Sequence, residues 1–252
     1  YRMALGLFVF TWTARHLGPS EFGILGFSHP FVLLFAIFAS LGMDTIVIRE
    51  LTSEERPRDS ILGTALGLKL LGALLCFPLI ALSLSFTATE PETAVLIYVI
   101  ALTYLFQSFN VIDFHFQSKV LSKYVAWGNT AAVTTTSAIQ VGLILSDAPL
   151  IAFAMVITAN LALSALGFVY FYERTGHSIR TWRFEWATAV FLLRESWPML
   201  LSGAVVSIDV KIDQVMLKEM IDSAAVGQYA AAVRLSEATY FIAAVITGSV
   251  FP

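Results

Sequence analysis

Charged positions are missing from five long blocks of the chain, 22–43, 70–89, 93–112, 124–146 and 148–172, each 20 to 25 residues long. About 20 apolar residues at a 1.5 Å rise cross a hydrocarbon layer of about 30 Å, so each block is a transmembrane helix candidate. With their polar flanks, the apolar runs predict eight helices at 1–16, 23–43, 61–86, 94–112, 125–145, 149–172, 198–217 and 228–252. Most connections are short and carry turn residues: Gly18-Pro19-Ser20, Glu90-Pro91-Glu92 and Asp147-Ala148-Pro149. Two are long, 44–60 with Glu54-Glu55-Arg56-Pro57-Arg58-Asp59, and 173–197 with Arg174, Arg180, Arg183 and Arg194. In the second, Trp182, Trp186 and Trp197 flank the apolar stretch 189–193, which predicts a short helix on the membrane interface. Pro198 fits the first turn of the seventh helix, where its missing N–H costs nothing.

Composition agrees with a polytopic membrane protein. Of 252 residues, 58% are apolar and 13% charged, about half the charge of a soluble domain, which argues against an ordinary cytosolic enzyme. The net charge of −3 argues against a nucleic-acid partner. Cys76 is single, lies in an apolar run and reads as a small core residue. The chain opens on Tyr1 and closes on Pro252 inside an apolar run, and is expected to be part of a longer protein. Loops after the second, fourth and sixth helices carry nine Lys and Arg; those after the first, third, fifth and seventh carry only Arg15 and Lys218. Positive loops stay cytoplasmic, so the N-terminus is expected there.

Six helices, an interfacial linker and a restart suggest two parallel halves. An offset of 204 pairs residues 17–23 with 221–227, each a turn between spans, and Gly23 with Gly227 is the one identity. Phosphate-loop, dinucleotide, zinc-protease and dithiol motifs are absent, so ATP hydrolysis, a resident metal and a cofactor are not expected. His29 before Pro30 reads as a helix kink. Gly63-x-x-x-Gly67 and the run Thr134 to Ser137 read as helix-packing surfaces.

Ionisable residues inside spans are the sharper signal, because each is costly unless it faces protein or water. The seventh helix holds Asp209, Lys211 and Asp213; the eighth Arg234 and Glu237; the third Lys69; the first Arg2. Counted from Pro198, Asp209 is about 16 Å deep. Asp209 and Asp213 share a helix face, with Lys211 turned about 200° away. Two carboxylates on one face call for a coupling ion, a proton or a basic partner, and Arg234 is at matching depth on the returning helix. These six residues (Lys69, Asp209, Lys211, Asp213, Arg234 and Glu237) read either as a structural ion-pair network or as the lining of a substrate or ion path. Lys69 suits snorkelling and cavity lining equally.

Four motifs then carry a resemblance: Arg15-His16-Leu17-Gly18-Pro19-Ser20-Glu21-Phe22-Gly23; Leu41-Gly42-Met43-Asp44 running into Ile48-Arg49-Glu50; Phe116-Gln117 followed by Tyr124; and Trp197-Pro198-Met199-Leu200-Leu201-Ser202 with Ile212-Asp213-Gln214 and Val226-Gly227-Gln228-Tyr229 through Arg234-Leu235. In these the chain resembles the polysaccharide flippases, the O-antigen repeat-unit (Wzx-like) transporters. Their superfamily also holds multidrug antiporters and the lipid II flippase. Ser118 stands where the family often has Gly. The resemblance implies an all-α transmembrane helix bundle of 12 to 14 helices in two lobes. Of these the chain would hold an N-terminal six-helix lobe (1–172), the cytoplasmic interfacial linker (173–197) and the first two helices of a second lobe (198–252). It further implies a non-enzymatic, multi-pass transporter of the cytoplasmic membrane, flipping lipid-linked oligosaccharide (a polyprenyl diphosphate glycan) by alternating access. Membrane lipids would be its other partners. Coupling to protons or sodium, the glycan carried, and a rival role as multidrug antiporter, membrane-embedded polymerase or ligase, or scaffold stay open.

Overall fold

The computed structural model describes residues 2–87, 89–233 and 236, with the side chains of all of these except 2–4 and 219. Arg234, Glu237 and the rest of the eighth predicted helix beyond 236 lie outside the described residues, as does the side chain of Arg2. The chain is an all-α bundle, with no strand among the described residues. Its helices are α1 (Arg2–Leu33), α2 (Ala36–Ser40), α3 (Asp44–Ser53), α4 (Arg58–Leu84), α5 (Pro91–Ala101), α6 (Thr103–Gln107), α7 (Val111–Ser118), α8 (Lys123–Leu145), α9 (Leu150–Arg174) and α10 (Trp186–Met220). Residues 223–233 form a further helix.

The predicted turn at Gly18 is present as a sharp break with no intervening loop: it divides α1 into two helical halves that turn back on each other, so that the rings of Phe10 and Phe22 come within 5.1 Å. Gly18 takes φ 72 and ψ 173, a conformation essentially confined to glycine, and Pro19 restarts the helix with its φ already set. The second predicted helix does not run to residue 43. Pro30 has no N–H for the Gly26 carbonyl, α1 stops at Leu33, and the chain from Leu5–Leu33 to Ala36–Ser53 bends by 43°. The Tyr104 hydroxyl donates to the Val32 carbonyl at this break. Leu41 and Gly42 are both left-handed, and α3 follows where a loop was expected over 44–60. Its polar face misled the reading: Glu50 is buried, and its carboxylate accepts from Arg49 at 3.2 Å and Arg56 at 3.3 Å.

The fourth predicted helix is longer than 94–112. α5, α6, a 3-10 turn (Ser108–Asn110) and α7 form one stretch, Pro91–Ser118. That stretch, α4 and α9 are long and apolar enough to cross a membrane, and the bent pair around Phe35 makes a fourth candidate. α8 is polar because it bonds to its neighbours. Gln140 donates to Thr13 of α1 at 3.0 Å, and Thr136 accepts from Asn160 of α9 at 2.9 Å. Gly63 and Gly67 are a packing surface, but for the linker rather than a helix: a methyl on Gly63 would lie 2.6 Å from the Arg183 carbonyl oxygen, and one on Gly67 3.0 Å from the Phe184 ring.

No helix break stands at Pro198. α10 runs unbroken from Trp186 through Pro198 to Met220, so the interfacial segment and the seventh predicted helix are one element. Proline removes a single hydrogen bond, and helix on both sides carries the turn across it. At 1.5 Å per residue α10 is about 52 Å long, more than a hydrocarbon layer needs, and Trp186 and Trp197 are both exposed on its first half.

The linker is pinned to α4. The Arg183 N–H donates to the Asp59 carbonyl at 3.2 Å, the Glu185 N–H to Thr64 Oγ1 at 3.0 Å, and the Glu185 carboxylate accepts from Ser60 and, at 2.8 Å, from Thr188. The hydrogen bonds from Ser60 and then Thr188 hold the Glu185 carboxyl below its ordinary value of 4.5. A carboxyl lowered by folding stabilises above its unfolded pKa and loses that contribution as pH falls through the folded one. Glu185→Gln is therefore expected to melt below the unsubstituted protein at neutral pH, with the gap closing only as pH falls below 4.5. Thermal melts across that range check it; a gap that ignores pH would show that the charge is not what holds the linker.

The cation-rich segments meet at one end of the bundle. Arg49 pairs with Glu195 at 3.1 Å, Arg58 Nη1 lies 3.3 Å from His177 Nε2, and Lys119 donates to Glu54. Beneath them lies an apolar core of Met43, Val47, Ile61, Leu62, Val111, Ile112 and Tyr172, and a second core around Phe27, Phe31, Ile80, Ile97 and Tyr104 fills the rest of the bundle.

Candidate functional site

A cavity of about 320 Å3 lies between α1, α8 and α9 on one side and α10 with the helix 223–233 on the other. The two halves of α1 supply Phe10, Thr13, Phe22 and His29, α8 supplies Gln140, α9 Phe153, and α10 Lys211 and Gln214. The kink at Gly18 lets both halves reach it, and the break after Leu33 ends α1 one turn beyond His29. Thr13 is buried; its hydroxyl donates to the Val9 carbonyl at 2.8 Å and accepts from Gln140, which fixes that amide. Gln214 is buried too. Phe10 and Phe22 meet edge to face at 5.1 Å. One ammonium, one imidazole, two amides and several aromatic rings in one recess can bind a hydroxyl-rich or anionic group.

The wall beside this cavity is a close contact of backbones. A methyl on Gly23 would sit 1.7 Å from the Ser223 carbonyl oxygen, and one on Gly227 would sit 2.4 Å from the Pro19 carbonyl oxygen. Val226 and Ala230 pack on Gly26 in the same way, with Ala230 Cβ 3.3 Å from where a Gly26 Cβ would lie.

Of the six predicted residues, Lys211 lines the cavity. Asp209 is exposed on α10. Asp213 does not stand as a bare carboxylate: it accepts from the Tyr229 hydroxyl, and from the Gln214 N–H at 2.7 Å. Arg234 and Glu237 lie outside the described residues. Lys69 neither snorkels nor lines this cavity. It is 3% exposed, its Nζ is 2.7 Å from Asp44 Oδ1, and it lies 4.6 Å from the centre of the Phe114 ring. Asp113 of α7 is close enough to feel both charges and accepts from Gln117 at 3.0 Å.

Sequence reasoning missed His29, Thr13, Gln140 and Gln214 as lining residues, and Asp44 as the partner of Lys69. Asp44 could have been found, since it is the first charge after a 22-residue run without one. The amides and the threonine carry no hydropathy signal.

A second, smaller cavity of about 240 Å3 lies at the cation-rich end, lined by Leu51, Glu54, Arg56, Arg58, Ile61, His115 and Lys119. His115 is 2% exposed, packed edge-on against Tyr172 and His177, and its Nδ1 has no hydrogen-bond partner among the described residues. A buried polar atom left unpaired costs about 1–3 kcal/mol. Lys119 holds the exposed Glu54 carboxyl below its usual range by hydrogen bond and charge, so Glu54 is ionised at this rim.

A family model described as "Polysaccharide biosynthesis protein" matches residues 1–252. No curated protein and no solved structure matches the chain.

Proposed function

The chain belongs to the polysaccharide biosynthesis protein family and is a multi-pass membrane protein; from that premise we propose that it works as a transporter, flipping lipid-linked oligosaccharide across the cytoplasmic membrane by alternating access. The observation that carries the reading is the polar cavity between α1, α8 and α9 and the last two helices. Lys211 faces the charge of an acidic sugar or the lipid diphosphate, and the amides of Gln140 and Gln214 face sugar hydroxyls. Phe10, Phe22 and Phe153 offer apolar surface to the ring faces, while the lipid tail stays in the bilayer. The bias of nine Lys and Arg in the loops after the second, fourth and sixth predicted helices, against Arg15 and Lys218 in the others, supports a cytoplasmic N-terminus.

Alternation on this reading parts α1 from the helix 223–233 and closes the other side, with Gly18 and the break at 34–35 absorbing the rotation. The related multidrug antiporters are a weaker fit. A cationic drug needs carboxylates in the recess, whereas Lys211 lines it, Asp209 is exposed and Asp213 is engaged by Tyr229.

Lys211→Gln in the full-length protein is expected to lower flipping of lipid-linked glycan in proteoliposomes by about 10–100-fold, the loss of one charge-assisted hydrogen bond. Lys211→Arg is expected to retain most of it, with protein levels equal in all three. Unchanged flipping by Lys211→Gln would remove this cavity from the transport path.

A further inference from the structure

The cavity at the cation-rich end has no part in the path just described, and it gathers charge from three segments. Arg56 stands in the turn between α3 and α4, Arg58 opens α4, and Lys119 follows α7. The two guanidinium groups are held in place by other bonds. Arg56 gives Nη1 to Glu50 at 3.3 Å and rests 3.7 Å over the Phe191 ring; Arg58 gives Nε and Nη2 to Asp59 at 3.1 and 3.0 Å and turns Nη1 toward His177. A guanidinium carries five N–H donors, so at least two remain on each. At about 30 Å3 per water molecule the space holds roughly eight waters, enough for a phosphate or diphosphate. His115 contributes ring surface to the same space.

We propose that this cavity is a binding site for a phosphate-bearing anion, a phosphate or diphosphate group, with Arg56, Arg58 and Lys119 supplying charge and hydrogen-bond donors. Planar, pre-held guanidinium forks beside an ammonium match tetrahedral anionic oxygens. Glu54 is the competitor built into the rim: its carboxylate occupies Lys119 and opposes an incoming anion until displaced. A phospholipid headgroup and a free diphosphate carry the same chemistry, and the test separates them.

The experiment titrates inorganic diphosphate into the full-length protein in phosphatidylcholine nanodiscs, read by calorimetry. The expected result is saturable binding, weakened about tenfold or more by the double variant Arg58→Gln/Lys119→Gln and tightened several-fold by Glu54→Gln. Glu54 and Lys119 are surface side chains, 69% and 44% exposed, so Glu54→Gln does not put folding at risk. With one lipid in five replaced by phosphatidic acid, a drop in diphosphate affinity identifies a headgroup as the occupant, and no drop identifies a free anion. Absence of saturable binding, or equal affinity in the double variant, or weaker binding by Glu54→Gln, overturns the site. Diphosphate bound instead at Lys211 would be untouched by the double variant, so the two cavities are told apart.

Discussion

Gly23→Val in the full-length protein abolishes transport while the protein still reaches the membrane: this is the largest effect expected from the structure. The Cβ alone would meet the Ser223 carbonyl oxygen at 1.7 Å, its carbon at 2.6 Å and the Gly227 nitrogen at 3.1 Å. These are backbone atoms, so no side chain can rotate away, and helix 223–233 has to move by more than an ångström. Overpacking in a well-packed interior costs about 1–3 kcal/mol, and a clash with fixed backbone belongs at the upper end. The helices that separate are two walls of the polar cavity, so the lesion opens it on that side. A cysteine pair at Gly26 and Ala230 reports the separation. Their Cβ positions are 3.3 Å apart, near the spacing a disulfide uses, and native Cys76 is buried. Rapid oxidative cross-linking is expected with Gly23 intact and little with Gly23→Val. Equal cross-linking and normal transport in both would show that the close approach is not needed.

The second large effect is an asymmetry between the partners of one ion pair. Lys69 is 3% exposed, whereas the Asp44 side chain is 51% exposed. Asp44→Asn leaves an ammonium buried without its counter-charge, which costs about 3–5 kcal/mol, tempered by the nearby Asp113. At roughly 2–4 °C per kcal/mol for a chain of this size, the melting point falls by on the order of 5–15 °C. Lys69→Met removes the buried charge, keeps most of the volume and leaves Asp44 half in solvent, so its effect is expected to be small. The double variant Asp44→Asn/Lys69→Met therefore recovers most of the loss. Melting curves of the four proteins decide it: additive losses would mean the pair is not coupled.

How far the sequence could be read depended on which physical signal each feature leaves. Long runs without charge located helices: α4 and α9, both long and apolar enough to cross a membrane, lie within a few residues of their predicted limits, as does α8, which is not among the candidate spans. Bends leave a weaker mark. Pro30 was legible as a kink, yet the helix Asp44–Ser53 read as a loop because Glu50 and the arginines look solvated until their mutual pairing is seen. Pro198 misled in the other direction, since a helix can carry a proline when both flanks are long. At the site, Lys211 stood out because a cation in a span is rare. Lys69 stood out for the same reason, but its partner lies 25 residues earlier, across the left-handed residue Glu54, a pairing that no local pattern reveals. The polar wall of Thr13, Gln140 and Gln214 has no signature at all until helices are set side by side.

The contact between Gly23 and Gly227 has a consequence for symmetry. These two positions are each other's counterpart at the offset of 204, and they touch, with the Gly227 Cβ site 3.1 Å from the Gly23 nitrogen. When two repeats are related by rotation, a residue can touch its own image only where the rotation axis passes. The pair therefore marks where a pseudo-dyad would thread the molecule, and the contact is isologous: each glycine is both the knob and the socket. Small side chains at such a point are constrained twice by one steric condition, so a change at either position perturbs the same crossing.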